Sequence, residues 1–384
     1  MKIFGLHFVA AIVITAASLV AAAGSSFAQG GRGMFGGGDQ MVPPINSRQV
    51  EHYSKILSLT EDQRDAANAL LEGYAQQAAI SSKQMRDASQ KARDSFRENQ
   101  DPAVWEDLGK SMTKFREDRK KLDESFMSDL KSVATADQVA KWPAVDRALR
   151  RDSTLLMGRL SGERVDLLDM VDRLKFSDEV KGTVNPLLSQ YEEDLDRELA
   201  RRNEVYEQAI EKMMDMRRNG DMAAMQDMIE KGRDAGKRVR DINRRYFRQI
   251  ADTLPEESKS TFETEFKKAS YPEVYRKTYA LRVVESVNGF ADLSSEQKDQ
   301  IERIATKYQT DSATVNDKLA AATEEMENNF NLQDMMARGW RQEGPLQDLR
   351  TQRRDMDRKL QDELTKLLTE DQKTRLPERS EEDE

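Results

Sequence analysis

One five-residue pattern recurs along the chain, and its spacing constrains the fold more than any other feature. Leu59 to Gln63 (LTEDQ) is repeated without change from Leu368 to Gln372, and Leu293 to Gln297 (LSSEQ) is a close variant. Looser copies begin at Ala134, Phe176 and Leu254. The copies at positions 59, 176 and 293 are 117 residues apart, and those at 134, 254 and 368 are 120 and 114 residues apart. This spacing predicts three tandem units, each of which begins and ends with the same pattern.

The pattern has the chemistry of a helix start. The Thr60 hydroxyl is expected to accept from the amide of Gln63, and the Gln63 side chain from the amide of Thr60, which together form a capping box. Glu61 and Asp62 then lie at the positive end of the helix dipole. The residues to which we assign this structural role are Leu59, Thr60, Gln63, Thr135, Gln138, Ser177, Leu254, Leu293, Ser294, Gln297, Leu368, Thr369 and Gln372.

The apolar spacing between the caps predicts helices throughout. In the first unit a short helix is expected from about residue 47 to 57 and a long helix from 61 to about 96. A third, long helix and a short fourth helix follow the break at 99–102. Apolar positions step by three and four, as in coiled coils, and Tyr74, Tyr191 and Tyr308 have the same offset from their opening pattern. The fold class predicted is all-α, an elongated array of three tandem four-helix (short-long-long-short) hairpin units.

Unit boundaries follow from the same register. The units are placed at residues 47–155, 156–277 and 278–378, with a Gly/Pro-rich linker at 29–46 and an acidic tail at 379–384. The Tyr271-Pro272 pair that ends the second unit lies nine residues later than its counterparts, which predicts a longer last helix there. Pro186 is predicted to kink the long helix of that unit.

The first 28 residues have the pattern of a cleavable secretory signal. A lysine at position 2 precedes an uncharged apolar run from Ile3 to Ala23, and Ser26-Phe27-Ala28 is a small-x-small cleavage site. We therefore expect a periplasmic protein that begins at Gln29 and has no stable membrane insertion. The alternative is an uncleaved membrane anchor, because the apolar run is about long enough to span a bilayer.

Composition argues against several classes of function. Charged residues make up 34% of the chain with a net charge of -9, but the two signs are interleaved, so no nucleic-acid partner is expected. The chain has no cysteine, and His52 is the one histidine that follows the signal segment. Metal sites usually need more imidazole or thiolate ligands, and no catalytic set can be built around one histidine. We expect no enzyme, no metal and no cofactor.

The pattern Leu-Thr-x-x-Gln, placed twice around a four-helix unit, resembles the motif of the Spy/CpxP family of periplasmic proteins. Leu59 to Gln63 and Leu368 to Gln372 match it fully, and Leu293 to Gln297 matches with Ser in place of Thr. The resemblance implies ATP-independent binding of unfolded or partly folded envelope proteins, or envelope-stress sensing with a sensor kinase as partner. Family members are thin, cradle-shaped dimers, whereas here the unit occurs three times, which leaves the oligomeric state open.

Two sets of side chains are candidates for client binding. Methionines crowd the hairpin turn of the second unit, among them Met213, Met222, Met225 and Met228, and Met suits adaptable surfaces. Filling an irregular core is the alternative. Basic clusters include Arg119, Lys120, Arg240 and Arg244. They would attract acidic or unfolded chains, unless they are a solvated surface paired with nearby acids.

These observations favour a periplasmic holdase that binds exposed apolar segments of client proteins weakly and reversibly at three repeated surfaces. The alternative is a structural helical spacer of the envelope without clients. A spacer predicts uniformly polar surfaces, whereas a holdase predicts an exposed apolar patch.

Overall fold

The protein is all-α. The computed structural model describes residues 44–101, 103–219, 221–331 and 344–379, and these ranges contain helices and turns but no strand. They form two compact units, one ending at Leu156 and the other beginning at Met157. The first coincides, within one residue at this boundary, with the first predicted repeat, and the second contains the other two.

The first compact unit is a long helical hairpin closed at its base by short helices. Its helices are α1 (Ser47–Leu57), α2 (Glu61–Asn99), α3 (Ala103–Val133), α4 (Ala136–Val139) and α5 (Trp142–Thr154). Hydrogen bonds join α2 to α3 at residues 63 and 133 and at residues 74 and 123, so the two helices are antiparallel. The apolar core lies at the base, where α1 and α5 pack on the hairpin. It includes Tyr53, Leu57, Phe126, Leu130 and Trp142.

The second compact unit contains two further hairpins. Its helices are α6 (Leu167–Leu174), α7 (Asp178–Asn219), α8 (Met222–Thr253), α9 (Glu256–Ser270), α10 (Pro272–Tyr275), α11 (Tyr279–Asn288), α12 (Ser295–Asn328), α13 (Pro345–Leu367) and α14 (Glu370–Lys373). The pairs α7 with α8 and α12 with α13 pack along their lengths. Pro186 lies inside α7, which continues to residue 219, and the kink expected there stays a prediction.

The longer last helix predicted for the second repeat is confirmed. Helix α9 has 15 residues, whereas α4 and α14, which follow the corresponding patterns, have four each. Helix α9 contributes Phe262 and Phe266, whose rings lie 5.3 and 3.8 Å from that of Phe247 on α8. This aromatic contact packs the extra turns of α9 against the hairpin.

Several predicted features fall on residues outside the described ranges. These are the signal segment, most of the linker, the side chain of Met213 and most of the acidic tail. Among the described helices, none is long and apolar enough to cross a membrane. The elongated arrangement of three units stays a prediction.

Candidate functional site

Four of the predicted capping boxes are formed, each with both of its hydrogen bonds. They are Thr60 with Gln63, Thr135 with Gln138, Ser294 with Gln297, and Thr369 with Gln372. The apolar residue that precedes the cap is buried at Leu59, Leu254, Leu293 and Leu368. The capping geometry is therefore present at four of the six copies, whereas Ser177 only accepts from the Val180 amide at 3.4 Å and Pro255, which follows Leu254, makes no side-chain cap bond.

The capping glutamines have a second contact that a local pattern does not reveal. Gln63 and Gln138, 75 positions apart, exchange two side-chain hydrogen bonds of 2.9 Å. The second amide hydrogen of Gln63 is donated to the carbonyl of Val133 at 2.8 Å, and that of Gln138 to the carbonyl of Ser58 at 3.0 Å. This glutamine pair ties the start of α2 to the end of α3 and the start of α4 to the end of α1.

The third repeat contains an equivalent glutamine pair. Gln297 donates to the Gln372 side chain at 3.0 Å and to the carbonyl of Leu367 at 2.7 Å, and Gln372 donates to the carbonyl of Asp292 at 3.4 Å. In the middle repeat the equivalent positions are Val180 and Ser258, which cannot form such a pair. Two distant copies of the capping pattern thus form one tertiary contact wherever both glutamines are present.

The middle repeat contains a buried ion pair that sequence analysis missed. Arg202 on α7 donates to Glu163 at 2.7 Å, and neither side chain has any exposed surface. The other Glu163 oxygen accepts from the amides of Arg159 and Leu160 at 2.7 and 3.0 Å. A Cβ atom at Gly236 of α8 would lie 2.8 Å from this carboxylate, so glycine is needed for the close approach. A glycine inside a polar helix was the available sequence signal.

A tyrosine network lies near the base of each outer hairpin. The Tyr74 hydroxyl donates to Asp123 at 2.7 Å and accepts from Arg119 at 2.6 Å and from the Ile45 amide at 3.0 Å. Burial, followed by the bond to Asp123, raises the pKa of Tyr74. In the third repeat, Tyr308 and Arg353 both donate to the same oxygen of Asp357.

Arg119 is thus a buried structural residue. The prediction that it belongs to an exposed binding face is wrong, because its guanidinium is bonded to Tyr74 and Asp123 inside the hairpin. Lys120, the next residue, is exposed.

The basic residues predicted to bind clients in the second repeat also contact an acidic side chain of the same chain. Arg244 donates to both oxygens of Glu324 on α12, at 2.7 and 2.8 Å. This bidentate contact lowers the pKa of Glu324 to about 2. Arg240 is only 5% exposed and lies beside the same carboxylate. Both side chains face another part of the chain, which corrects the prediction that they form an open surface.

The methionine candidates have mixed exposure. Met222, Met225 and Met228 lie at the start of α8 and are half-buried. Met326, near the end of α12, is 50% exposed. Their role in client contact stays a prediction.

The far end of the first hairpin presents apolar side chains beyond the core. We define the hairpin tip as residues 80–99 of α2 and 103–118 of α3. Only Met85 and Ala92 are buried within it. Ile80 and Trp105 are 60% and 36% exposed, and the Trp105 ring lies 5.5 Å from that of Phe96. Four further apolar side chains are half-buried there: Val104, Leu108, Met112 and Phe115.

The described residues contain no group of three or more His, Cys, Asp or Glu side chains arranged to hold a metal ion. His52 lies beside Tyr53, with ring centroids 6.3 Å apart.

The chain matches no protein-family model, no curated protein and no solved structure.

Proposed function

We propose that the protein is a periplasmic, ATP-independent chaperone of Spy/CpxP type, which holds unfolded or partly folded envelope proteins. The single observation that supports this proposal most is the hairpin tip, where Ile80 and Trp105 are exposed on a helix pair with almost no core. Apolar side chains exposed on a polar protein can mark an interaction site.

The contrast between base and tip suits weak, reversible binding. At the base, the glutamine pair, the Tyr74 network and a continuous apolar core fix the two helices. At the tip, residues 103–118 of α3 include no buried side chain. Sparse packing permits local motion. A surface of this kind can adapt to different apolar segments and release them without nucleotide.

A structural spacer is the second candidate, and it has its own supporting observation. Ion pairs at helical spacing line the exposed surfaces, for example Lys110 with Glu106 at 3.3 Å and Lys307 with Asp311 at 2.7 Å. Such pairs are typical of solvent-exposed helices and need no client.

Light scattering separates the two candidates. A chemically unfolded test protein is diluted into buffer with and without the purified protein, at near-equimolar ratio and without nucleotide. We expect the wild-type protein to suppress aggregation and the double variant Ile80→Ser, Trp105→Ser to suppress it much less. Leu156→Ser is the matched control, because Leu156 is 61% exposed but lies outside the tip. Far-UV circular dichroism checks that each variant is folded.

No suppression by the wild-type protein across several clients would refute the holdase and favour the spacer. Full suppression by the double variant would refute the tip as the binding surface. The triple variant Met222→Ser, Met225→Ser, Met228→Ser would then test the methionine candidates.

A further inference from the structure

The second and third repeats meet through charged side chains. In addition to the Arg244–Glu324 pair, the Tyr271 hydroxyl donates to Glu324 at 3.1 Å. Arg233 donates to the carbonyl of Phe330 at 2.9 Å. On the same side of α12, Asp317 accepts from Tyr275 at 2.9 Å, and Glu327 accepts from the Ser161 hydroxyl at 2.7 Å. An acidic side of α12 therefore covers basic and tyrosine side chains of α8, of α10 and of the residue that joins α9 to α10.

Arg240, one of the covered basic residues, has hydrogen-bond donors without an acceptor. Arg240 is more than nine-tenths buried, yet its Nε and Nη1 atoms have no hydrogen-bond acceptor among the protein atoms. The nearest carboxylate oxygens are 3.6 Å away at Asp241 and 3.7 Å away at Glu324. Buried charged groups normally have their donors satisfied. The Glu324 carboxylate thus satisfies Arg244 but leaves Arg240 short of an acceptor.

We propose that Arg240 and Arg244, together with Tyr271, form a binding site for carboxylate-bearing segments of other proteins, and that Glu324 occupies this site when no partner is present. We call it the carboxylate site. It is distinct from the hairpin tip and does not depend on the holdase function.

The geometry selects carboxylates. Arg244 already binds a carboxylate through two parallel N–H donors, the arrangement that guanidinium groups favour for this anion. Tyr271 adds a hydroxyl donor to the same oxygen that accepts from Arg244. An incoming acidic segment can reproduce these contacts and place a second carboxylate on Arg240.

Occupation by Glu324 makes the site self-inhibited. A ligand that must displace a group of the same chain binds with an affinity reduced by the fraction of molecules in which the site is open. Removing the Glu324 charge should therefore tighten ligand binding, whereas a change that affected only the fold would weaken it. This difference in sign separates a displaceable contact from a permanent one.

The test uses the full-length protein and fluorescein-labelled deca-glutamate as the probe, with fluorescence anisotropy as the readout at neutral pH and low salt. We expect weak, salt-sensitive binding to the wild-type protein and roughly fivefold or tighter binding to Glu324→Gln. Glu325→Gln is the matched control, because Glu325 is exposed on the same helix. Its affinity should equal that of the wild type. Arg244→Gln should weaken binding.

A second variant keeps the proposal testable if Glu324→Gln does not fold. Tyr271→Phe removes one hydrogen bond to Glu324 and retains the ring, and it should change the affinity less than Arg244→Gln does. Equal affinities for Glu324→Gln and Glu325→Gln would overturn the proposal, as would the absence of binding to both at millimolar probe. Binding of oligo-deoxythymidine with the same response to these variants, but not of deca-glutamate, would overturn the assignment to protein segments.

Discussion

Replacing Gln63 with Glu tests the glutamine pair with a single-atom change. The substitution exchanges the side-chain NH2 group for an oxygen and keeps the shape. In the wild type this NH2 group donates to the carbonyl of Val133 at 2.8 Å and to Gln138 at 2.9 Å. The other atom, Oε1, accepts from the Thr60 amide at 2.9 Å and can still do so in the variant. The cap is therefore kept, and only the contact between distant segments is lost.

The expected loss of unfolding free energy follows from the number of hydrogen bonds that the substitution removes. Two hydrogen bonds are lost, each of which contributes about 1 kcal/mol, and two acceptor oxygens are left facing a carboxylate in a half-buried site, so the total is about 2–4 kcal/mol. By comparison, Thr60→Ala removes only the cap and should cost about 1 kcal/mol. If the glutamine pair stabilises the fold, Gln63→Glu should therefore lower the unfolding free energy more than Thr60→Ala does, although it changes fewer atoms.

Urea unfolding measures this difference when it is followed by tryptophan fluorescence, to which Trp142 contributes from the core of the first compact unit. Gln77→Glu is the matched control, because Gln77 is exposed on the same helix, and it should change stability by less than about 0.5 kcal/mol. The deficit of the Gln63→Glu variant should shrink as the pH falls, since a protonated carboxyl regains one donor. Equal midpoints for the Gln63 and Gln77 variants at pH 7 would refute the reasoning.

Three further predictions concern buried polar groups. Arg202→Met leaves the Glu163 carboxylate without its charged partner, so thermal unfolding should report a loss of about 3–5 kcal/mol, much of it recovered when Glu163→Gln is added. The pKa of Glu324 falls from 4.5 to about 2 on folding, so its contribution to stability is complete above pH 4.5 and is lost as the pH falls towards 2. A urea series across this range should show that Glu324→Gln is less sensitive to acid than the wild type. Tyr74→Phe removes a hydroxyl bonded to a backbone amide and an ion pair, and calorimetry should show a loss of about 1–3 kcal/mol.

The sequence predicted those contacts and helices that depend on residues close together in the chain. A capping box joins positions three apart, so the pattern around Thr60 or Thr369 contains everything that the contact needs. The same is true of the helices, whose apolar positions recur every three or four residues. The pairing of Gln63 with Gln138 could not be predicted this way, because it depends on how two hairpin ends meet in space.

Charge was the least informative signal. Arg119 and Asp123 have the spacing of an ordinary exposed ion pair, yet both are hydrogen-bonded to Tyr74 inside the hairpin. The repeats did contain a clue. At the positions of Arg119 and Asp123 the middle repeat has Val239 and Asn243, a loss of both charges at once. Two positions that change together across internal copies indicate that their side chains depend on each other.

The middle repeat differs from its neighbours where it contacts the third repeat. It lacks the glutamine pair, and its extended end supplies Tyr271 and Tyr275, both of which contact α12. The nine additional residues before the Tyr271-Pro272 pair place these hydroxyls beside the acidic side of α12. The same contact covers Arg240 and Arg244, two of the side chains whose spacing suggested an open binding face. The irregularity in the repeat length is therefore the sequence feature that explains why this basic face is closed.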